Sequence, residues 1–151
     1  MPVGDATSPP QTSGGVVILL VEDDASIRQI FTYGLTQEGY IVLPAKHTHE
    51  ALKFCKDYPS TIHLVITDLG LPQELRLAST TAAGASLRGV DLIRQVLTLR
   101  PSIKVLIISG QGEEMLQKSG ALHTGWPFLR KPFGLDTLLR QVRLLLSGSP
   151  A

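Results

Sequence analysis

Glu22, Asp23 and Asp24 follow directly on the apolar run Val16 to Val21, "VVILLV". A hydrophobic segment ending in three adjacent carboxylates is electrostatically awkward, because each acid raises the pKa of its neighbours unless something positive intervenes. Three more polar residues stand at the ends of other apolar runs: Asp68 after "HLVIT", Ser109 closing "VLIIS" and Lys131 closing "PFLRK". Singly, each has a plain explanation. Acids ahead of a helix cap it and suit its dipole, and an aspartate after a strand is commonly a loop residue. Together, acids, hydroxyl and ammonium suit a phosphoryl group, whose oxygens need neutralising during transfer. Adjacent carboxylates also suit a hard cation such as Mg²⁺, which takes oxygen ligands from a few carboxylates, water and phosphate. Asp68 is the best nucleophile of the set, since a carboxylate can attack phosphorus to form an acyl phosphate. Glu22 and Asp23 are placed to hold metal, and Asp24 to cap a helix.

These residues can act together only if the chain brings them together. Val16 to Val21 is continuously apolar and rich in β-branched residues, as expected of a strand covered on both faces. Asp24 is positioned to cap a helix running to about Glu38, with Ile27, Ile30, Phe31 and Leu35 on one face and Gly39 as the stop. Tyr40 to Pro44 reads as a second strand. Thr48 is positioned to cap a helix to about Tyr58 that buries Ala51, Leu52 and Cys55. "IHLVIT", residues 62–67, is the third strand, ending at Asp68. A long segment from Gly70 to Arg88 then breaks the rhythm. Val90 to Leu99 is helical and closed by Pro101; "VLIIS", 105–109, is the fourth strand. A short helix near Glu113 to Ser119, a fifth strand at 127–131 and a helix from Leu135 to Leu146 complete the pattern. Strands alternating with helices imply a parallel sheet with right-handed crossovers. In such open sheets ligands bind beyond the C-terminal ends of the strands. Those ends are where the polar residues fall.

The whole chain is consistent with this picture. Its 151 residues are enough to bury one hydrophobic core, and 43% hydrophobic with 18% charged residues is ordinary for a soluble globular protein. A net charge of +1 gives no global reason to expect nucleic acid or an anionic membrane as partner. Cys55 is the single cysteine, which excludes an intramolecular disulfide, reads as a packed thiol and fits a reducing, cytoplasmic setting. No apolar run approaches the ~20 residues of a membrane span. Residues 1–15, rich in Pro, Gly, Ser and Thr, read as a flexible tail without the features of a signal peptide, and residues 148–151 as a second tail.

In the order "ILLVEDDASIR", "LVITDLGLP", "GVDLI", "VLIISG" and "FLRKPF", the chain resembles the receiver domain of two-component response regulators across residues 16–147. The resemblance implies a flavodoxin-like, doubly wound α/β fold: a five-stranded parallel sheet in the order 2-1-3-4-5 with helices on both faces. It also implies that Asp68 accepts a phosphoryl group from a sensor histidine kinase or a histidine phosphotransfer protein, with Mg²⁺ held by Glu22, Asp23, Asp68 and the backbone carbonyl of Gly70. Ser109 and Lys131 would contact the phosphoryl group. Ser109 and Phe128 would form the switch, the hydroxyl moving toward the new dianion while the aromatic turns inward. The Lys131–Pro132 bond is expected to be cis on the same ground.

The chain departs from the family pattern in several places. Serine at 109 replaces the commoner threonine and keeps the donor. Phe128 lacks the phenol hydroxyl of many members, so packing alone must hold an inward state. Gly70 leaves no side chain two residues beyond the acceptor; that position and Gln111 influence phosphoryl lifetime in the family. The connection between Asp68 and Ser109 is longer than usual, which marks residues 73–88 as an insertion, either a lid beside the site or an inert excursion. An α/β phosphatase with an aspartate nucleophile typically carries a second acid where this chain has Gly70, which counts against a turnover enzyme. A phosphorylation-independent interaction module with this fold is the other alternative; it would be expected to have lost one of the acids or the lysine. Only a few residues follow the last helix, so no output domain is expected within this sequence: the chain either acts alone by binding a partner, which is unidentified, or is a receiver module from a larger protein. The partner surface in such domains usually involves the helix at 113–119, the strand at 127–131 and the last helix. That last helix holds more leucine than one buried face needs, which predicts either an overfilled core helix or an exposed Leu144 marking a homodimer or partner contact.

Overall fold

The computed structural model describes residues 15–68, 88–109 and 126–147. Five parallel strands, β1 (Val17–Val21), β2 (Ile41–Ala45), β3 (Leu64–Asp68), β4 (Lys104–Ser109) and β5 (Phe128–Arg130), form one sheet in the order β2-β1-β3-β4-β5. Four described helices cover it: α1 (Ala25–Gln37), α2 (Thr48–Asp57), α3 (Arg88–Leu99) and α4 (Leu135–Leu146). This is the flavodoxin-like topology expected. Residues 1–14 of the first tail, residues 148–151, most of segment 73–88 with Gly70, and Gln111 with the expected helix at 113–119 lie outside the described residues.

Alternation along the strands builds the two cores, because successive side chains point to opposite faces. Val17, Leu19 and Val21 pack with Val65, Val105 and Ile107 against Ala51 and Cys55 of α2 and Leu92, Ile93 and Val96 of α3. Ile18 and Leu20 pack with Leu64, Ile66, Leu106 and Ile108 against Phe31 and Leu35 of α1 and Leu138 and Val142 of α4. Both faces of the central strands are therefore dry, which is why β1 is apolar at every position. β2 lies at the sheet edge, where Pro44, lacking an N–H, is tolerated and blunts further pairing. Burial pushes the Cys55 thiol above its ordinary range, as a packed rather than reactive cysteine requires.

The helix ends match the sequence reading in two places and differ in a third. Asp24 caps α1, its side chain accepting from the Ile27 amide at 3.0 Å. Gly39 follows α1 with φ +97°, a conformation that costs a side-chain-bearing residue. The cap of α2 is His47, not Thr48: His47 Nδ1 accepts from the Glu50 amide at 3.4 Å, while Glu50 Oε1 reaches back to the Lys46 amide at 2.8 Å. Thr48 is instead the first helical residue, with its side chain buried. The reciprocal bond from Glu50 makes the histidine an effective cap in a position usually held by Ser or Asp.

Ile30 also differs from expectation, being 53% exposed. The buried stripe of α1 runs through Phe31, Gly34 and Leu35, with Ile27 half-buried at its margin. At about 100° per residue, Ile30 lies roughly 140° around the helix from Leu35 and so misses the core. Gly34 lets α4 approach that stripe closely: a Cβ there would sit 2.7 Å from the Leu135 methyls of α4, which would have to shift. On α4, Leu144 is exposed while Leu138 and Val142 are buried, so the surplus leucine stands at the surface. Among the described residues, no helix is long and apolar enough to cross a membrane.

Candidate functional site

The C-terminal ends of β1, β3, β4 and β5 bring the sequence-predicted residues to one edge of the sheet. Glu22 follows β1, and its amide donates to Ala45 at the end of β2. Asp68 is the last residue of β3 and pairs in register with Ile108, one residue before Ser109. Ser109 is opposite Arg130, and its carbonyl accepts from the Lys131 amide at 2.8 Å. Register alone therefore places Lys131 beside Ser109 and Ser109 beside Asp68.

The side chains complete the convergence. Lys131 Nζ donates to Asp68 Oδ2 at 2.6 Å, a charge-assisted contact across two strands. Glu22, Asp23 and Asp68 each offer a carboxylate oxygen, and these oxygens lie within 4.8 Å of one another. Glu22, Asp68 and Ser109 are buried, whereas Asp23 is exposed, so the acid group opens to solvent on one side. Asp24 points its side chain into the helix cap and does not belong to the group.

Burial pushes the Glu22 carboxyl up to about 7; the Asp24 amide opposes this, Asp68 adds to it, Lys131 opposes it and Asp23 adds to it. Glu22 Oε2 accepts that amide at 3.1 Å, while Oε1 is buried with no hydrogen-bond partner among the described residues. A buried, unbonded carboxylate oxygen is costly in a folded protein unless a cation serves it. At Lys131, desolvation works against the charged form, but the hydrogen bond and negative charge of Asp68 outweigh it, helped by Glu22 and Asp23. The ammonium is held above its ordinary range. The site thus keeps one cation of its own and has oxygen donors for another.

A family profile for the response regulator receiver domain matches residues 18–143. The chain belongs to that family. This receiver domain is 28% identical over 134 residues to the sensor kinase CckA of Brucella abortus, covering 89% of the chain and 13% of the relative. It is 30% identical over 141 residues to the transcriptional regulatory protein CreB of Escherichia coli, covering 88% of the chain and 55% of the relative. The receiver therefore spans only part of these curated relatives. Among solved structures, the receiver domain of the hybrid histidine kinase CckA is similar at TM-score 0.65 and 28% identity, over 86% of this chain and 98% of that one. The non-phosphorylated HemR receiver domain from Leptospira biflexa is similar at TM-score 0.67 and 26% identity, over 90% and 98%.

The remaining expected residues fall as follows. Phe128 is half-buried on β5 and packs against the α2–α3 side of the core. The Lys131–Pro132 bond is cis. Phe133, next in the chain, stacks on Phe31 of α1 with ring centroids 5.8 Å apart, which ties the loop carrying Lys131 to the helix that follows the acids. Two contributors escaped the sequence reading. Phe133 had no signal beyond its place in "RKPF". Arg28, whose Nη1 donates to the Glu22 carbonyl at 2.8 Å, had one: a cation near the N-terminus of a helix opposes the helix dipole, so its presence there asks for a partner.

Proposed function

We propose that Asp68 accepts a phosphoryl group from a histidine kinase or histidine phosphotransfer protein in a Mg²⁺-dependent reaction, and that the resulting charge switches partner binding. The observation that carries this reading is the Lys131 Nζ–Asp68 Oδ2 contact of 2.6 Å inside a group whose three carboxylates approach within 4.8 Å. Glu22, Asp23 and Asp68 are the residues that would hold the ion, with the Gly70 carbonyl, outside the described residues, as a further ligand. Their fit is good: hard oxygen donors, one of them a buried atom without a hydrogen bond. Bound there, Mg²⁺ supplies positive charge to the acids and to a phosphoryl oxygen.

The protein's own residues do the rest. Lys131 orients the Asp68 carboxylate and remains charged to meet the incoming phosphoryl oxygens. A carboxylate oxygen of Asp68 attacks the phosphorus of a phosphohistidine; the P–N bond breaks, its electron pair stays on the imidazole nitrogen, and that ring becomes neutral imidazole after proton uptake. The new acyl phosphate brings a dianion to the end of β3, where buried Ser109 can donate its hydroxyl. Phe128, held by packing, follows as the second part of the switch. The setting we assign is cytoplasmic, the downstream partner is a protein, and exposed Leu144 is a candidate contact for it or for a second copy.

Incubation with Mg²⁺ and acetyl phosphate tests the reading. An acid-stable, hydroxylamine-labile adduct of one phosphoryl group is expected, lost in Asp68→Asn and in excess chelator. An adduct that survives Asp68→Asn would sink it.

A further inference from the structure

Glu22 and Asp23 lie between the end of β1 and the start of α1, where two like charges tend to push the backbone apart. Part of the hydrogen bonding around them is local. The Asp24 amide donates to Glu22 Oε2 at 3.1 Å, and the Asp24 carbonyl accepts from the Arg28 amide at 2.9 Å. The peptide oxygens of the acid pair are served from farther along the chain. Arg28 Nη1 donates to the Glu22 carbonyl at 2.8 Å and to the Asp23 carbonyl at 3.4 Å. Arg28 is the fourth residue of α1, a turn with no acid in it, so the helix dipole disfavours its charge there. Its bonds to the two carbonyls offset that cost.

Fixing a peptide oxygen fixes the rotation of the peptide plane, and with it the direction in which the adjoining side chains leave the backbone. Arg28 acts through the peptide oxygens, not through the carboxylates that would take the ion. Its charge is also felt at Glu50, whose carboxyl lies below its ordinary range mainly because it accepts the Lys46 amide, with His47, Lys46 and Arg28 adding to the effect.

Resting on the phospho-acceptor reading above, we infer that Arg28 is a positioning residue for the metal cradle: it holds the Glu22–Asp23 backbone so that both carboxylates stay aimed at Asp68 before any ion arrives. The test is titration of the purified full chain with MgCl₂ alone, followed by amide NMR, without a phosphodonor. Arg28→Ala is expected to raise the Mg²⁺ dissociation constant about tenfold to a hundredfold, as loss of groups that orient metal ligands commonly does. Arg28→Lys, which can still donate to one carbonyl, is expected to recover part of that loss. Arg100→Ala is the control for mere destabilisation: Arg100 lies away from the acids, so its melting temperature should fall with no change in Mg²⁺ affinity. Wild-type affinity in Arg28→Ala would overturn the inference, as would a loss no greater than that of Arg100→Ala. If Arg28→Ala does not fold, Arg28→Lys decides alone, a weakened affinity supporting the inference and an unchanged one overturning it. A wild-type chain that fails to bind Mg²⁺ would instead remove the metal reading, and this inference with it.

Discussion

The two ends of the sheet treat buried polar groups in opposite ways. At the end where the strands start, the guanidinium of Arg100 donates to three carbonyls around the C-terminus of α2: Cys55 at 3.0 Å, Tyr58 at 2.6 Å and Ser60 at 2.7 Å. His63 exchanges two bonds with Val17, its amide donating to the Val17 carbonyl at 2.8 Å and its Nδ1 accepting the Val17 amide at 3.0 Å. At the end where the strands finish, carboxylates crowd together. Of the buried side-chain atoms without a hydrogen bond among the described residues, Glu22 Oε1 is the one belonging to a carboxyl; the others are threonine hydroxyls. A lone hydroxyl is a small cost, a lone carboxylate oxygen a large one. One end is finished by its own chain. The other leaves a buried carboxylate oxygen without a hydrogen bond among the described residues.

That contrast can be broken most visibly at Glu22. Its carboxyl is raised from 4.5 to about 7 by burial, so between those values the folded chain keeps a proton that the unfolded chain has lost. Stability of the metal-free protein is then expected to fall as pH rises through that window. Glu22→Gln should remove this contribution: in chelator, urea unfolding at pH 7.5 is expected to show the variant more stable than wild type, with the gain disappearing near pH 4.5. A variant less stable than wild type at pH 7.5 would mean that the charge is already compensated within the chain.

Arg100→Ala attacks the opposite end. Loss of hydrogen bonds from a charged donor to three carbonyls should cost about 2–3 kcal/mol in chemical denaturation, with phosphorylation by acetyl phosphate intact in the folded fraction. Gly34→Ala tests the helix pair that supports the site, since its methyl would meet Leu135 at 2.7 Å. A penalty of about 1–3 kcal/mol is expected from overpacking, read as a lower melting temperature. Glu50→Gln should have the smallest effect, about 0.5–1 kcal/mol, as a weakened cap of α2. Because the Glu50 carboxyl is held below its ordinary range, its stabilisation is present above about pH 4.5 and lost as pH falls through the lower folded value. The difference between Glu50→Gln and wild type should therefore close in acid, which denaturation at pH 7 and pH 3.5 would reveal.

Much of this was legible in the chain itself, for identifiable reasons. The strands were readable because a sheet covered on both faces demands unbroken apolar runs, and the polar residues that end those runs are conspicuous by contrast. Asp24 and Gly39 announced the limits of α1 through capping chemistry. His47 was hidden because histidine is an uncommon cap and Thr48, beside it, is a common one; the Glu50 amide bonding His47 Nδ1 and the Lys46 amide bonding Glu50 Oε1 distinguish them. Ile30 was misplaced because a list of apolar positions in a helix does not say which glycine completes the buried stripe.

Sequence by itself named the members of the candidate site: Glu22, Asp23, Asp68, Ser109 and Lys131 each follow from strand-end position, because parallel connectivity sends every strand's end to the same side. It could not determine their engagement. That Lys131 meets Asp68 rather than solvent depends on strand register across β3, β4 and β5. That Glu22 is buried enough to hold its proton near neutrality depends on packing contributed by distant elements. That Arg28 grips the carbonyls before it depends on how a helix leaves its strand. Each is a distance between residues far apart in the chain or a degree of solvent exclusion, and both quantities exist only once the layers have packed.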